Sequence, residues 1–499
     1  MVTNDQGLLS IKHKIDEEVA RLAWKGEITE EDKEELVYRI SPGPKSEYRC
    51  CIYKERELVR QRIRLSLGLN PTPENTSKNI VQVLQPACES CPISAYTVTD
   101  NCRLCTGKAC YNSCRFGAIE IGLTRSRIDS SKCKECGMCA EACPYEAIAH
   151  LVRPCRKACP ADAITYDENG ICIIDESRCI QCGHCIHACP FGAISSKSFL
   201  VDIIRAIQSD KKVFAMCAPA TEGQFGADIG MASIRQACLE LGFDDMVEVG
   251  LGGDITAAFE AIEWEVAMYS GRKMTTSCCP AFINYLKKQF PEQYEKNKSH
   301  TVSPMNALSR LLKHLHPGCV TVFIGPCIAK KAESQDESIE GRADFAMTYG
   351  NFSSLLRSKE VELKPVEEGY QKSSLWGKRF ATSGGVAAAV IEVMKERGIE
   401  TQDIRLRRCA GGQECKAALL QLKAGRLEED FIEGMMCPGG CVGGPSKRKT
   451  EREIIGAREK MLKQADSRSI LGNLSQYPID DINMYLKPHK KQEETAADA

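Results

Sequence analysis

One strict cysteine spacing occurs twice in this chain and constrains its fold more than any other feature. The pattern C-x2-C-x2-C-x3-C-P begins at Cys133 and again at Cys179. A shorter pattern, C-x-x-x-A-I, begins at four cysteines in two pairs, separated by 29 and 30 residues: Cys114 and Cys143, then Cys159 and Cys189. Self-similarity at such a period indicates a duplicated unit. Each copy is too short for a large apolar core, so we expect two small units that fold around bound metal.

Cysteine is abundant, with 29 residues in a chain of 499. The first residues are polar and lack the apolar run of a secretory signal, and no segment reaches the roughly 18 apolar residues of a membrane helix. We therefore expect a cytoplasmic protein without a membrane span, whose reduced thiols serve as metal ligands. Lysine and arginine (66) nearly balance aspartate and glutamate (67), which argues against a nucleic-acid partner bound by phosphate neutralisation.

The repeated spacing is that of bacterial ferredoxins, in which it binds [4Fe–4S] cubanes. In two-cluster ferredoxins the fourth cysteine of each run binds the neighbouring cluster. This crossed rule predicts three cubanes, bound by Cys102, Cys105, Cys110 and Cys143, by Cys114, Cys133, Cys136 and Cys139, and by Cys159, Cys179, Cys182 and Cys185. A fourth is predicted at the remaining set, Cys88, Cys91, Cys155 and Cys189. For that set, a zinc site or a lost cluster with idle thiols is the alternative. Four [4Fe–4S] clusters in a row would conduct electrons.

The patterning of the chain divides it into five regions. Residues 1–85 carry apolar residues at helical spacing and predict a helical leader. The cysteine-rich part comprises a first ferredoxin-like two-cluster unit, 86–150, and a second ferredoxin-like unit, 151–200, both small and of α+β type. In residues 201–465, apolar runs such as VFAMC and VTVFIG alternate with helical patterns, which predicts an α/β domain with a largely parallel sheet. Residues 466–499 are polar and predict a frayed tail.

Three loop segments of the α/β region carry further cysteines. They read TSCCPAF around Cys278 and Cys279, IGPCIAKKAE around Cys327, and MMCPGGCVGGP around Cys437 and Cys441. In sequence and in order these segments resemble the three signature loops of [FeFe] hydrogenases, and the resemblance extends from about residue 213 to 450. The shortened loops and the CESCP stretch before the cysteine-rich units resemble the group B branch of that family.

The resemblance implies a catalytic domain of two lobes, with mixed and largely parallel sheets, that binds an H-cluster. The diiron unit of that cofactor carries CO, cyanide and an azadithiolate and is held mainly by surrounding residues. Its [4Fe–4S] cubane would be bound by four cysteines: Cys279, Cys327, Cys437 and Cys441. Lys330 matches the lysine that hydrogen-bonds a cyanide. Further positions match residues packed around the diiron unit: Met435, Ala218, Pro219 and Ala220.

A proton route is also implied by the resemblance. Cys278 matches the acid that passes protons to the diiron unit, and a thiol, with an unperturbed pKa of roughly 8.5, titrates near enough to neutral pH for this role. Glu260 and Glu263 lie at positions i and i+3 of a predicted helix, hence on one face. Together with Ser299 they match the proton relay of the family. A solvated acidic helix face is the alternative for the two glutamates.

Several positions depart from the family pattern or carry no assignment. Gly325, Met305 and Phe282 stand where methionine, glutamine and tryptophan are usual, which puts rate, directional bias and oxygen response in doubt more than the basic reaction. Some cysteines belong to no predicted ligand set and are expected to be core or surface thiols: Cys50, Cys51, Cys172, Cys217, Cys238, Cys319, Cys409 and Cys415.

These features predict an enzyme that catalyses reversible proton reduction to H2. Electrons would come from a ferredoxin-like carrier, maturation proteins would supply the diiron unit, and additional redox subunits stay open. One alternative is an H2-sensing regulatory protein with the same cofactor. Another is a non-catalytic iron–sulfur assembly or carrier protein, although relatives of that kind tend to lose the cysteine and lysine that are present here as Cys278 and Lys330.

Overall fold

The computed structural model describes residues 6–89, 91, 95–367 and 369–486. The first five residues of the predicted leader, Ser90 and Pro92 of the CESCP stretch, and residues 487–499 of the predicted tail lie outside the described residues. Among the described residues, no helix is long and apolar enough to cross a membrane.

Three helices form the leader: α1 Gln6–Lys25, α2 Glu30–Ile40 and α3 Ile52–Ser66. Thr29 begins α2 with a capping box, in which its hydroxyl accepts from the Asp32 amide and its own amide donates to the Asp32 carboxylate at 2.8 Å. Ile15 and Val19 lie one turn apart on α1 and are buried. Trp24, at the end of α1, donates from Nε1 to Ser358 of the α/β domain at 3.0 Å, so the leader is attached to that domain.

The cysteine-rich region is built from short helices and two-stranded antiparallel sheets. Its elements are β1 Val81–Val83, α4 Gln85–Cys88, β2 Tyr96–Val98, α5 Ala109–Ser113, β3 Ile119–Ile121, β4 Ser126–Ile128, α6 Met138–Glu141, β5 Ile148–His150, α7 Pro154–Lys157, β6 Ile164–Tyr166, β7 Cys172–Ile174, α8 His184–Ala188 and β8 Ile194–Ser196.

The strand pairing shows how the two ferredoxin-like units are connected. In the first unit β2 pairs with β5 and β3 pairs with β4, whereas in the second unit β6 pairs with β7 and β1 pairs with β8. The strand Val81–Val83 precedes the first unit in the chain but belongs to the sheet of the second. The first unit is therefore inserted into the second, which the linear succession of motifs did not predict.

The remaining elements form the α/β domain. They are α9 Leu200–Ile207, β9 Val213–Cys217, α10 Met231–Leu241, β10 Asp245–Glu248, α11 Val249–Tyr269, β11 Met274–Thr275, α12 Pro280–Gln289, α13 Pro291–Asn297, α14 Pro304–Leu315, β12 Val320–Gly325, α15 Ala329–Glu333, β13 Phe345–Thr348, α16 Tyr349–Ser358, α17 Leu375–Arg379, α18 Gly385–Glu396, β14 Leu406–Ala410, α19 Gly412–Lys423, β15 Phe431–Met435, α20 Glu451–Gln464 and α21 Ile470–Leu474.

Two sheets order this domain, one of four strands in the order β10-β9-β12-β13 and one of three in the order β11-β15-β14. Every strand pair in both sheets is parallel. The predicted α/β class with parallel sheets is confirmed. The runs VFAMC and VTVFIG form β9 and β12, which are neighbours at the centre of the larger sheet.

Residues 466–486 differ from the expected frayed tail. Ile470 and Leu474 lie on one side of the short helix α21, and Met484 lies close to the end of the described chain; all three are almost fully buried. The Val302 amide also donates to the Met484 carbonyl at 2.9 Å. The apolar residues of this segment pack in or against the core of the α/β domain, so the expectation of a frayed tail is wrong for residues 466–486.

Candidate functional site

The three cysteine-bearing loops leave the carboxyl ends of parallel strands, the usual position of sites in α/β sheets. Cys279 precedes Pro280, which is the first residue of α12 after β11. Cys327 follows β12, and Cys437 follows β15. These strands belong to the two different sheets, so the loops meet between the sheets.

Four thiols gather where the loops meet, those of Cys279, Cys327, Cys437 and Cys441. Burial, and after it the neighbouring thiols, raises the pKa of Cys327 to about 11 and that of Cys441 to about 12. Cys441 is nevertheless accessible to solvent, whereas the other three cysteines are half-buried. Thiols become thiolates when a bound metal supplies positive charge, so this set of four cysteines fits an iron–sulfur cluster.

Among the described residues, no three His, Cys, Asp or Glu side chains converge as they would on a single metal ion. A cubane takes its four thiolates at four separate iron atoms.

The loop that carries Cys437 and Cys441 depends on its glycines. Gly439 and Gly440 have φ values of +72° and +91°, which side chains rarely adopt. A Cβ on Gly440 would lie 2.7 Å from the Ser383 amide nitrogen. The loop therefore folds closely against the segment before α18 and brings its two cysteines to the same side.

Lys330 lies in α15 behind these thiols and is almost fully buried. Its Nζ donates to Ser303 Oγ at 2.8 Å and to Glu333 Oε2 at 2.7 Å, and lies 3.5 Å from the Cys278 carbonyl oxygen. Burial alone would lower the pKa of Lys330, but the Glu333 carboxylate outweighs it and the pKa is raised. The ammonium group is therefore charged and fixed beside Cys278.

Lys331, the next residue, has a different environment. Its Nζ donates to the Lys197 carbonyl at 2.8 Å and to Asn351 Oδ1 at 2.9 Å. The Asn351 amide in turn donates to Asp16 of the leader at 3.0 Å. Burial lowers the pKa of Lys331 to about 7. Of the adjacent lysines, Lys330 thus faces the thiols and Lys331 connects the site to the leader.

The predicted relay residues are brought together at one end of the site. Glu260 Oε1 accepts from the Ser277 amide at 2.9 Å and from its hydroxyl at 2.8 Å. Glu263, one turn later on α11, accepts from the His300 amide at 2.9 Å. Ser299, adjacent to His300, is fully buried, and its hydroxyl lies next to the Glu260 carboxyl group. Glu260 thus contacts both Ser277 and Ser299, and Glu263 contacts the residue that follows Ser299.

The electrostatics of Glu260 suit a proton carrier. Burial raises its pKa to about 7, against the opposing effect of the two Ser277 hydrogen bonds. Its second oxygen, Oε2, makes no hydrogen bond of normal geometry among the described residues although it is buried. A carboxyl group of this kind exchanges its proton near neutral pH. The alternative of a solvated acidic face is wrong for Glu260, which is fully buried, and for Glu263, which is 6% exposed.

A cavity of about 310 Å³ adjoins the serines next to Glu260 and two hydrogen-bond partners of Lys330. Residues of both groups contribute to its wall, among them Ser277, Ser299, Ser303 and Glu333. The sequence analysis did not single out Ser277, Ser303 or Glu333. Glu333 could have been found from its position three residues after Lys330 on a helix, where opposite charges pair.

The remaining predicted residues, and the positions that differ from the family pattern, are buried or half-buried. Met435 ends β15 and is buried, while Ala218, Pro219 and Ala220 follow β9 and begin a short 3-10 helix. A Cβ on Gly325 would lie 2.6 Å from the Phe323 ring, so that ring takes the place of a larger side chain. The Phe282 ring lies against the bare backbone of Gly434. Met305 is fully buried at the start of α14.

The second ferredoxin-like unit is in direct contact with the loops. The Cys437 sulfur lies 3.5 Å from His184 Nε2, a residue between two predicted cluster ligands that the sequence analysis missed. A Cβ on Gly183 would lie 2.6 Å from the Ile328 side chain, next to Cys327. The thiols of Cys182 and Cys327 are close enough to influence each other's pKa. The third predicted cluster set is therefore adjacent to the four thiols of the site.

The cysteine-rich region holds seventeen cysteines, and the sixteen predicted ligands, all of them except Cys172, lie near one another in the predicted groups. In the first unit two small cavities are each lined by one complete set: Cys102, Cys105, Cys110 and Cys143, then Cys114, Cys133, Cys136 and Cys139. In the second unit Cys185 lies near Cys159, Cys179 and Cys182. Cys88 and Cys91 both lie near Cys155 and Cys189, the four residues of the fourth set.

Known families match most of this chain. The model described as "Iron only hydrogenase large subunit, C-terminal domain" matches residues 211–445, a 4Fe-4S binding domain matches 126–149, and an LdpA Fe-S cluster-binding domain matches 149–200.

Curated relatives include proteins of two kinds. Iron hydrogenase 1 of Clostridium pasteurianum is 27% identical over 370 residues, which are 64% of this chain and 64% of that protein. A cytosolic Fe-S cluster assembly factor of Kluyveromyces lactis is 23% identical over 257 residues, which are 38% of this chain and 54% of that protein. The chain thus spans less than two thirds of either relative. Among solved structures, an [FeFe]-hydrogenase from Chlamydomonas reinhardtii aligns with a TM-score of 0.43 and 20% identity over 56% of this chain and 92% of that one.

Proposed function

Because the chain is an [FeFe] hydrogenase-like protein, we propose that it catalyses the reversible reduction of protons to H2, with electrons from a ferredoxin-like carrier. The main support for this proposal is the environment of Cys278. It adjoins the proposed ligand Cys279, Lys330 Nζ lies 3.5 Å from its carbonyl oxygen, and the neighbouring Ser277 is hydrogen-bonded to the buried Glu260. A protein that only carried a cluster would not need a buried acid chain at this point.

The proposed H-cluster would be held by Cys279, Cys327, Cys437 and Cys441, with Met435 and the Ala218–Ala220 loop packed around its diiron unit. When bound, this cofactor supplies the metal chemistry that combines protons and electrons as H2. The fixed ammonium group of Lys330 offers a charge-assisted hydrogen bond to an anionic ligand such as cyanide. Maturation proteins would supply the diiron unit.

The protein's own part in the reaction is to deliver protons. Glu263 takes a proton near the surface, Ser299 passes it to Glu260, and Cys278 receives it at the inner end. Burial, and after it the Glu260 carboxylate, raises the pKa of Cys278 well above the usual range of a thiol. Cys278 therefore rests as a protonated thiol, and burial moves its pKa away from the near-neutral range expected of a free thiol.

The cysteine sets support the electron side of the proposal. We assign four [4Fe–4S] clusters to them, and the third set is held beside Cys327 and Cys437 by the contacts of Gly183 and His184. An external carrier, or an additional redox subunit, would donate to the first unit. We place the reaction in the cytosol, since the ligand thiols must be reduced when clusters are inserted.

A non-catalytic assembly or carrier protein is the second candidate, and the relative from Kluyveromyces lactis favours it. An H2 sensor is a third, since it would use the same cofactor with slow turnover. Cys278, Lys330 and the relay residues support the enzyme over the carrier, because a carrier has no proton to move.

Infrared spectroscopy of the anaerobically matured protein separates these candidates. The enzyme and the sensor both show bands of CO and cyanide, and the enzyme alone also evolves H2 rapidly with a low-potential reductant. Iron in the protein without such bands would favour the carrier.

Replacing Cys278 tests the proton role. We expect Cys278→Ala to lower H2 turnover by at least about 100-fold, the usual contribution of a general acid, with unchanged iron content and infrared bands. Cys50→Ala removes an exposed thiol and serves as the control. Undiminished turnover in Cys278→Ala would remove Cys278 from the proton route.

Glu260→Gln tests the relay and the raised pKa together. Glu260 titrates at about 7 when folded and near 4.5 when unfolded. The unfolded chain therefore loses this proton first, and wild-type stability falls by up to about 3 kcal/mol as the pH rises from 4.5 to 7. Glutamine does not ionise, so the variant should lose turnover but be the more stable protein at pH 8. Glu265→Gln, on the same helix and paired with Arg397 at 2.9 Å, is the control for turnover and pH dependence. If the stability of Glu260→Gln depended on pH in the same way as that of the wild type, the raised pKa of Glu260 would be disproved.

A further inference from the structure

We propose that Cys172 is a fifth thiol of the cluster site formed by Cys88, Cys91, Cys155 and Cys189, and that it can replace Cys155 as an iron ligand. The inference rests on the proposed assignment of a cubane to that set. It gives a role to a cysteine that stands outside every ligand motif.

The contacts of Cys172 place it at this site. It begins β7 and is 4% exposed. Its backbone amide donates to the Cys88 sulfur at 3.3 Å. Its thiol is a neighbour of the Cys155 thiol, near enough for each to shift the pKa of the other. Five thiols thus surround a site at which a cubane uses four.

The first unit contains a matched position that holds serine. Ser126 pairs with Ile121 in the β3–β4 sheet as Cys172 pairs with Tyr166 in the β6–β7 sheet. Both residues lie seven positions before the first cysteine of the long motif. The Ser126 amide likewise donates to a predicted ligand, Cys102, at 3.5 Å.

The neighbours of the two positions also correspond. The Ser126 hydroxyl is hydrogen-bonded to Cys110, which lies four residues before the predicted ligand Cys114. Cys155 has the equivalent position in the second unit, four residues before Cys159. The repeat therefore places a group that carries a polar hydrogen beside the equivalent ligand, Cys110 or Cys155, in both units. In the first unit it belongs to a hydroxyl, a poor ligand for the iron of a cubane, and in the second to a thiol, which can bind it.

The exchange balances without any external reactant. The bond between iron and the Cys155 sulfur breaks, a bond between the same iron and the Cys172 sulfur forms, and the Cys172 proton moves to the Cys155 sulfur. No electron is transferred. The contact between the two side chains supplies the path of the proton.

The test compares the two units in the full-length holoprotein. Cys110→Ala should lose up to about four iron atoms per chain, the content of one cubane, because Ser126 cannot replace the ligand. Cys155→Ala should retain the wild-type content of iron and acid-labile sulfide, and Cys155→Ala with Cys172→Ser should lose as much as Cys110→Ala. Iron loss in Cys155→Ala alone, or iron retention in the double variant, overturns the inference.

A second measurement tests the inference if Cys155→Ala folds poorly. Cys155→Ser fills the same space, and its reduced protein should give the wild-type electron paramagnetic resonance spectrum, because all four ligands are still thiolates. Adding Cys172→Ser should alter or abolish the signal of that cluster. A wild-type protein with one cubane less than proposed would overturn both the fourth cluster and the role of Cys172. The hydrogenase proposal would not be affected, since infrared bands and H2 evolution test it separately.

Discussion

The two ferredoxin-like units carry the same cysteine motif, but the protein surrounds them differently. The first unit has a small core of its own, formed by Val98, Ile119, Cys139 and Ile148. The core of the second unit is continuous with the leader and the larger parallel sheet, and includes Ile63 and Ile324. The motif therefore specifies a local fold, whereas the residues on the outside of that fold decide whether the unit stands at the periphery or inside the protein.

The cysteines follow the same division. In the long motif of the second unit, Cys182, Cys185 and Cys189 are buried, whereas Cys136 of the first unit is exposed. Burial raises the pKa of Cys182 to about 12. The unit beside the candidate site is thus shielded from solvent, whereas the first unit exposes a predicted ligand.

Removing one ligand from each unit should produce the largest difference. Cys182→Ala disrupts the set beside Cys327 and should lower H2 evolution with reduced methyl viologen by at least about 100-fold, equivalent to about 2.7 kcal/mol. Cys136→Ala should lose similar iron but retain most of this activity, because a small dye can donate to the second unit. Equal losses of activity would show that the first unit is an obligatory entry point.

Equivalent isoleucines test the difference in packing. Ile148 of the first unit and Ile194 of the second occupy the same position of the repeat and are both buried. Ile194→Ala leaves a cavity in the shared core and should lower the free energy of unfolding of the α/β domain by about 2–4 kcal/mol.

Ile148→Ala is the matched control for that experiment. It should weaken the first unit alone and leave the main thermal transition unchanged. The measurement is differential scanning calorimetry of the two variants under anaerobic conditions. A main transition lowered equally by both substitutions would show that the two units unfold together.

The two units should lose their iron at different rates. Under a chelator with mild oxidant, the clusters of the first unit should be lost several-fold faster than those of the second, since the exposed ligand Cys136 permits attack by solvent. Iron release followed with paramagnetic resonance of the remaining clusters measures the order. A single rate for all clusters would mean that burial of the second unit does not protect it.

Some features of the two units were predictable from the sequence alone. Cysteine spacing predicted which cysteines lie close together, because a cubane requires donors at fixed separations along the chain. The alternation of strand and helix patterns likewise predicted the α/β domain. The insertion of the first unit into the second was not predicted, because it depends on the distant pairing of β1 with β8. The same holds for Cys172 and His184, whose neighbours are fixed by packing between segments far apart in the chain.

The smallest effect is expected at the surface of the first unit. Leu123, in the loop between β3 and β4, is 99% exposed, whereas Ile173 of the second unit is 47% exposed. Leu123→Asp should change the free energy of unfolding by less than about 0.5 kcal/mol, since the side chain packs against nothing. If a carrier docks on the first unit, this substitution should raise the KM for a ferredoxin-like carrier by about threefold, the effect of losing one apolar contact of about 0.7 kcal/mol, with unchanged kcat. Ile173→Asp, the control on the second unit, should leave that KM unchanged, and the reverse pattern would move the docking surface to the second unit.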